Sequence, residues 1–332
     1  MTAERNYGVD LAKTVAIFLV VVVHVMTCGG GFPKSGAGVF ALAPLMAVGL
    51  CCVNLFALVS GYLGVDSRPS PKKFFKLWLQ VFATGILMAS VAHFAFGVPL
   101  SFHGIRRTLM PVTSGEYWYF TAYAVLYCFM PVLNRGLAEL ERNQAAGLCA
   151  ALFLVLCVSS PVDRHDVFRL DRGYSAMWLV VLYVFGAVLR LHVRKLPRKR
   201  LCAGLLVVSV LVTAAMAVFG SVHPAFAPTY LSPSVVLSAV AILLLCLRCS
   251  GRIRPRLPGL MVFLSSTAFG VYLVHVQPMF FYGVFRGRFG FVTALPAAMM
   301  PLAVLGCSAA VHALCLVPSW LIVRLTRGTR RT

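Results

Sequence analysis

Three ionisable side chains lie in the first apolar segment of the chain. Asp10, Lys13 and His24 interrupt a run that is otherwise almost entirely aliphatic. Charged groups are costly inside hydrocarbon, so by default they mark a functional site. Eleven helical residues return to within about 20° of the starting direction, so Lys13 and His24 share one face, about 16 Å apart along the axis. The pattern predicts a cation near one membrane surface and an imidazole well inside.

An imidazole at this depth is suited to proton transfer, because it titrates near neutral pH and can accept a proton from a hydroxyl. His275 lies near the end of a later apolar segment, and we expect it at a depth similar to that of His24. A hydrogen-bonded structural role is the alternative for each histidine. That alternative is favoured for His275 and His93, whereas the face shared with Asp10 and Lys13 favours function for His24.

A basic cluster follows the second apolar segment. Ser60, Gly61 and Tyr62 end that segment, and positive charges come directly after it at Arg68, Lys72, Lys73 and Lys76. Cations beside a glycine that permits close backbone approach suit a polyphosphate group. The alternative is a basic loop that binds lipid headgroups.

Aromatic residues open a segment that we expect to start at the opposite membrane surface. Trp118 and Tyr119 follow Glu116 there. Aromatic side chains at this position usually form the interfacial belt, but their faces also stack on sugar rings. Glu116 is then available to orient an acceptor hydroxyl, to pair with Arg106 or Arg107, or to remain solvated.

The elements that carry these residues are predicted to be transmembrane helices. The chain is 60% hydrophobic with a mean hydropathy of +0.88, and its apolar runs approach the twenty residues that span a bilayer. We predict an all-α polytopic membrane protein, with residues 1–332 forming one membrane-embedded domain and no separate soluble domain. The ten predicted spans are 9–28, 38–63, 75–97, 118–138, 145–160, 174–192, 201–220, 231–248, 260–282 and 297–323.

The basic residues are distributed unevenly between the loops on the two sides of these spans. Of the 30 Lys and Arg residues, 22 fall on the N-terminal side and 8 on the other. The positive-inside rule then places both termini in the cytoplasm. Orientation and contact with anionic membrane lipids account for the net charge of +21, so no nucleic-acid partner is predicted.

Familiar motifs for metal and hydrolase chemistry are missing from the sequence. It has no HExxH, no paired Cys/His metal spacing and no G-x-S-x-G. Cys246 and Cys249 form a single C-x-x-C, which without a second pair is a weak indication of redox or zinc chemistry. We therefore predict no metal site and no permanently bound cofactor.

The sequence resembles the bacterial integral-membrane acyltransferases called acyltransferase family 3, over residues 5 to about 282. That family carries Arg or Lys, ten residues and then His in its first helix, as Lys13 and His24 do here. Four further segments resemble family motifs and occur in the same order as in the family: Val53–Leu63, Lys73–Lys76, Tyr117–Phe120 and Gly270–His275. In the segment Lys73–Lys76 the family usually has Arg in place of Lys.

This resemblance implies transfer of an acyl group, often acetyl, from cytoplasmic acyl-CoA to a hydroxyl outside a bacterial cytoplasmic membrane. The acceptors in the family include envelope glycans and lipid-linked saccharides. Acetyl-CoA or another acyl-CoA would be the donor substrate, held by Lys13, by Ser60–Tyr62 and by the basic loop with Arg68, Lys73 and Lys76.

The same placement predicts the roles of the remaining residues. His24 would deprotonate the acceptor, with Asp10 and Glu116 as further catalytic residues and Asp10 holding Lys13. Trp118, Tyr119 and His275 would bind the acceptor. A transient acyl-histidine is a variant of this chemistry.

Two other functions compete with acyl transfer at this point. A secondary transporter or exporter would use Asp10, Lys13 and His24 as an intramembrane relay. A non-catalytic assembly partner of an envelope pathway would use the same polar stripe for helix packing.

Overall fold

A computed structural model describes residues 5–159, 166–253 and 258–327, and the regular structure within these ranges is helical. The predicted all-α class is confirmed. The α-helices are α1 Tyr7–Met26, α2 Ala37–Leu50, α3 Cys52–Gly64, α4 Pro71–Phe96, α5 Phe102–Leu109, α6 Trp118–Glu139, α7 Arg142–Phe153, α8 Ala176–His192, α9 Lys199–Val222, α10 Pro233–Ile253, α11 Pro258–His275, α12 Pro278–Phe280 and α13 Met300–Arg327.

Seven helical segments among the described residues are long and apolar enough to cross a membrane. They begin with Tyr7–Met26 and include the continuous pair α2 and α3 as Ala37–Gly64. Two apolar helices, Arg142–Val158 and Ala176–His192, are shorter than a usual span. Each of the ten predicted spans overlaps helical structure, whereas ten membrane crossings and the orientation of the termini stay predictions.

Two predicted spans are interrupted in the structure. The segment 38–63 is divided at Cys51, between α2 and α3. The prediction of a single helix over 260–282 was wrong, because α11 ends at His275 and a new turn begins at Pro278. Proline lacks an N–H and disfavours helical backbone in the residue before it, so it starts a turn more readily than it continues one. The break places His275 at a helix end.

The chain forms two compact units. The first comprises the N-terminal residues to Leu19, Ala43–Arg68 and Val125–Ser265. In it α3 packs against α8 and α10, and α9 packs against α10. Asn54 of α3 is fully buried: its amide donates to the Tyr230 carbonyl at 2.8 Å and accepts from the Trp178 indole N–H at 3.1 Å. Asn54 thereby ties α3 to its neighbours.

The second unit comprises Val20–Leu42, Pro69–Ala124 and the residues from Ser266 onward. Within it α13, α12 and α5 pack against α4. The loop after α1 is joined to a later loop by backbone hydrogen bonds from Gly287 to Cys28 at 2.9 Å and from Phe289 to Gly29 at 2.8 Å. These bonds hold the C-terminal end of α1, which carries His24, against the segment after α12.

Glycine allows the close approach of α3 to α8. A Cβ added at Gly61 would overlap the Tyr183 carbonyl, and one added at Gly186 would overlap the Leu58 carbonyl. The close approach that we predicted at Gly61 therefore exists, but it is to the backbone of a neighbouring helix.

We expect Gly61→Ala to lower the thermal unfolding midpoint of the detergent-purified protein, because the backbones of α3 and α8 must separate. Overpacking of this kind costs about 1–3 kcal/mol. Gly136→Ala is the matched control, since no heavy atom lies within 4 Å of a Cβ added there and alanine is the better helix former. Equal midpoints for the two variants would contradict this account of Gly61.

Candidate active site

Two histidines from distant parts of the sequence meet in the second unit. His24 lies on α1, two residues before its end, and His275 is the last residue of α11. Nδ1 of His24 lies 2.9 Å from Nε2 of His275. The similar depth that we predicted for the two rings is thereby confirmed. His275 is fully buried and His24 is half-buried, so His24 is the more accessible of the two rings.

The hydrogen bonds assign the tautomers of this pair. Nδ1 of His275 lies 2.6 Å from the Val271 carbonyl oxygen, and a carbonyl oxygen only accepts, so this nitrogen carries a hydrogen. In a neutral ring the other nitrogen, Nε2, then accepts. Nδ1 of His24 must donate to it, which leaves the lone pair on Nε2 of His24. The arrangement presents an unprotonated imidazole nitrogen on the more accessible ring.

Aromatic side chains pack around the two rings. Phe281 contacts His24 edge-on, with ring centroids 5.4 Å apart, and stacks on Phe285 at 5.4 Å. Phe285 and Tyr272 lie 6.2 and 6.5 Å from His275. We predicted His275 as an acceptor-binding residue. Its ring is fully buried and its Nε2 is engaged by His24, and its role in acceptor binding stays a prediction.

The Asp10 carboxylate has two partners that we did not predict. It accepts from Arg5 at 2.7 and 3.1 Å and from the Ser265 hydroxyl at 2.6 Å. Asp10 lies fourteen positions before His24, or about 21 Å along α1. Its predicted catalytic role stays a prediction. Lys13 is half-buried on the same helix, and its pairing with Asp10 also stays a prediction.

The Ser60–Tyr62 segment is engaged with protein groups. The Ser60 hydroxyl donates to the Phe56 carbonyl at 2.9 Å. The guanidinium of Arg190 lies over the Tyr62 ring, 5.5 Å from its centroid, and also bonds Asp66 at 2.8 Å. Together with the packing of Gly61 against α8, these contacts give the segment a structural role. Direct donor binding there stays a prediction.

The basic segment forms the start of α4. The Ser70 hydroxyl accepts from the Lys73 backbone N–H, and Pro71 is the first helical residue. Lys73 and Lys76 are exposed on the first turns of the helix, and Arg68 is exposed just before it. Positive side chains at the positive end of a helix dipole favour anions.

The aromatic segment before α6 is anchored near His275. The Tyr117 hydroxyl donates to the Leu273 carbonyl at 3.2 Å. Glu116 pairs with Arg107 at 2.5 Å, one of the alternatives that we left open. Trp118 and Tyr119 are half-buried and in edge-on contact at 5.7 Å. Their contact with a sugar stays a prediction.

Three residues near the histidine pair were missed from the sequence. Phe281 packs on His24, and Gln277 is fully buried two residues after His275. The Gln277 amide reaches the Thr108 hydroxyl at 3.4 Å. Gln277 was detectable as a polar residue inside an apolar segment, whereas Phe281 and Thr108 carried no signal that distinguishes them from packing residues.

Among the described residues, no group of three or more His, Cys, Asp or Glu side chains has a geometry that holds a metal ion. Cys246 is buried and Cys249 half-buried, and both thiols are free.

Comparison with known proteins identifies one matching family. The family model described as "Acyltransferase domain" matches residues 6–320, nearly the whole chain. No curated protein and no solved structure matches the chain.

Proposed function

Because this chain belongs to the family described as "Acyltransferase domain", we propose that it is a multi-pass membrane O-acyltransferase. It moves an acyl group, acetyl above all, from cytoplasmic acyl-CoA to a hydroxyl of an extracytoplasmic glycan or lipid-linked saccharide. The membrane is a bacterial cytoplasmic membrane. Membership in this family favours acyl transfer over the two alternative functions, a transporter and a non-catalytic assembly partner.

The observation that carries the proposal is the hydrogen bond from His24 to His275. It orients the His24 ring and leaves Nε2 as the basic atom. A general base must lie within hydrogen-bond reach of the proton that it takes. His24 is the more accessible ring of the pair, which supports its assignment as this base.

In the reaction, the acyl group moves from the sulfur of CoA to the hydroxyl oxygen of the acceptor. Nε2 of His24 takes the hydroxyl proton while the acceptor oxygen forms a bond to the thioester carbonyl carbon. The C–S bond breaks as the tetrahedral intermediate collapses. The proton passes from His24 to the leaving CoA thiolate, so the base is regenerated and the products are an ester and free CoA.

The donor phosphates need positive charge at the cytoplasmic end of the protein. Lys13 lies about 16 Å along α1 from His24, a length that a pantetheine arm can span in an extended conformation. Lys73 and Lys76 supply further charge at the start of α4. The partners implied by this assignment are acyl-CoA, the glycan acceptor and anionic membrane lipids, with no cofactor bound between turnovers.

The test uses the full chain reconstituted in liposomes. Acetyl-CoA labelled in the acetyl group is supplied to the side that carries the basic termini, and an envelope glycan fraction to the other side. We expect label to appear as alkali-labile ester on the glycan, with stoichiometric release of CoA. A transporter would show neither CoA binding nor ester formation, and that result would overturn the proposal.

A further inference from the structure

A basic cavity lies beside α5 in the second unit. It has a volume of about 270 Å³ and is lined by His103, Arg106, Arg107, Met110, Thr113 and Ser114. A water molecule occupies about 30 Å³ of liquid, so the cavity has room for about nine waters. That is enough for a phosphate or carboxylate with part of a sugar ring.

The charges around the cavity are unbalanced. Arg107 is paired with Glu116, whose side chain is only 11% exposed. Arg106, its neighbour on α5, has no carboxylate partner within residues 5–159, 166–253 and 258–327. A guanidinium presents five N–H donors in a planar fork, and it binds phosphates and carboxylates in a bidentate manner. One of the two arginines is therefore available for an anionic ligand.

A buried hydroxyl gives a second, independent indication. The Ser114 Oγ is inaccessible to solvent and has no hydrogen-bond partner in the described part of the chain, although Ser114 lines the cavity. Buried polar groups are nearly always hydrogen-bonded. Rotation of the Ser114 side chain about χ1 would bring this hydroxyl to an oxygen of a ligand in the cavity, and Thr113 adds a further donor.

Residues that neighbour the cavity lining in sequence are hydrogen-bonded to the segment that carries His275. Thr108, on α5, accepts from Gln277 at 3.4 Å, and Tyr117, three residues after Ser114, donates to the Leu273 carbonyl at 3.2 Å. Leu273 and Gln277 each lie two residues from His275. These two bonds join α5 and the residue before α6 to the segment that carries this histidine.

We infer that this cavity binds an oxyanion of the acceptor, a phosphodiester or a carboxylate, close to the hydroxyl that is acylated. Arg106 forms the bidentate contact, the Ser114 hydroxyl donates to one oxygen, and the Arg107–Glu116 pair fixes the wall. The assignment to the acceptor rests on the proposed function. It makes the substrate an acidic glycan or a glycan phosphate and disfavours a neutral polysaccharide.

The test measures binding and not turnover, so it is independent of acyl transfer. The purified full chain in phosphatidylcholine nanodiscs is titrated with glycerol 1-phosphate against glycerol, and with glucuronate against glucose. We expect at least one of the two acidic probes to bind and neither neutral probe to do so. Equal binding of each acidic probe and its neutral counterpart would overturn the inference.

The variants assign that binding to the cavity. Arg106→Gln should raise the dissociation constant about tenfold or more, since it removes a charge-assisted contact. Ser114→Ala should raise it severalfold, and the increase for Arg106→Lys should be intermediate. Arg286→Gln, which removes an exposed arginine of the same unit outside the cavity lining, should leave the constant unchanged. Equal losses for Arg106→Gln and Arg286→Gln would contradict the site.

A final titration identifies the source of the anion. Glycerol 1-phosphate is titrated in nanodiscs containing phosphatidylglycerol. Unchanged binding supports an acceptor-borne anion, and loss of binding shows that a lipid headgroup occupies the cavity and overturns the assignment to the acceptor. If the acidic probes bind through Arg106 while no ester forms in liposomes, the site stands and the proposed function fails.

Discussion

Replacing His24 with asparagine should reduce acyl transfer by about 10²- to 10⁴-fold, the usual contribution of a general base. The asparagine amide retains an N–H near the position of Nδ1, so it can still donate to His275. It has no atom at the position of Nε2, which is the proposed base. The variant therefore separates loss of the base from loss of packing. The measurement is the initial rate of ester formation in liposomes at equal amounts of protein.

Two further variants complete this comparison. His24→Ala should be as inactive as His24→Asn, but it should also lower the thermal unfolding midpoint because the ring packs against His275 and Phe281. His223→Ala removes an exposed histidine at the end of α9 and should leave both rate and midpoint unchanged. Activity of His24→Asn within about tenfold of the original protein would exclude His24 as the base, since a base contributes about 10²-fold or more.

The second large effect is expected at His275, a positioning residue that acts through His24. His275→Leu should lower kcat by about 10²-fold or more, because Nδ1–H of His24 loses its acceptor and the hydrogen is free to move to Nε2. His275→Gln should restore most of the rate, since its amide oxygen reaches the acceptor position. The KM for acyl-CoA should stay constant in both variants, because we propose that the donor phosphates are bound elsewhere.

Nuclear magnetic resonance distinguishes this role from simple packing. In protein labelled with ¹⁵N-histidine, the His24 signals are identified by their loss in His24→Asn. We expect Nε2 of His24 to resonate as an unprotonated nitrogen in the original protein and in His275→Gln, and to become protonated in His275→Leu. An unchanged His24 spectrum in His275→Leu would refute the tautomer assignment even if the rate fell.

Local patterns in the sequence were sufficient to predict the helical class of the protein and to place Lys13 and His24 on one face of α1. Hydropathy predicts where helices lie, because each membrane helix satisfies its own backbone hydrogen bonds. The helical period predicts that Lys13 and His24 share a face of α1. These statements need only residues near one another in the chain, which is why the helix positions agree with the structure.

Helix ends were harder to locate. The segment 260–282 is mostly apolar, so hydropathy continued the helix past His275. The proline at position 278 was the available signal, and its effect on the preceding backbone is what ends α11. Gly61 was likewise recognised as a site of close approach, but the sequence did not show that the approaching group is the backbone at Tyr183.

The sequence by itself determined a helical membrane protein with an imidazole and a cation on one helix face. Only the tertiary structure decided what each polar group meets: His275 at His24, Arg5 and Ser265 at Asp10, and Arg107 at Glu116. The physical reason is that apolar helix surfaces resemble one another, so hydropathy does not encode which helices are neighbours. Hydrogen bonds between residues as far apart as His24 and His275 depend on that packing order.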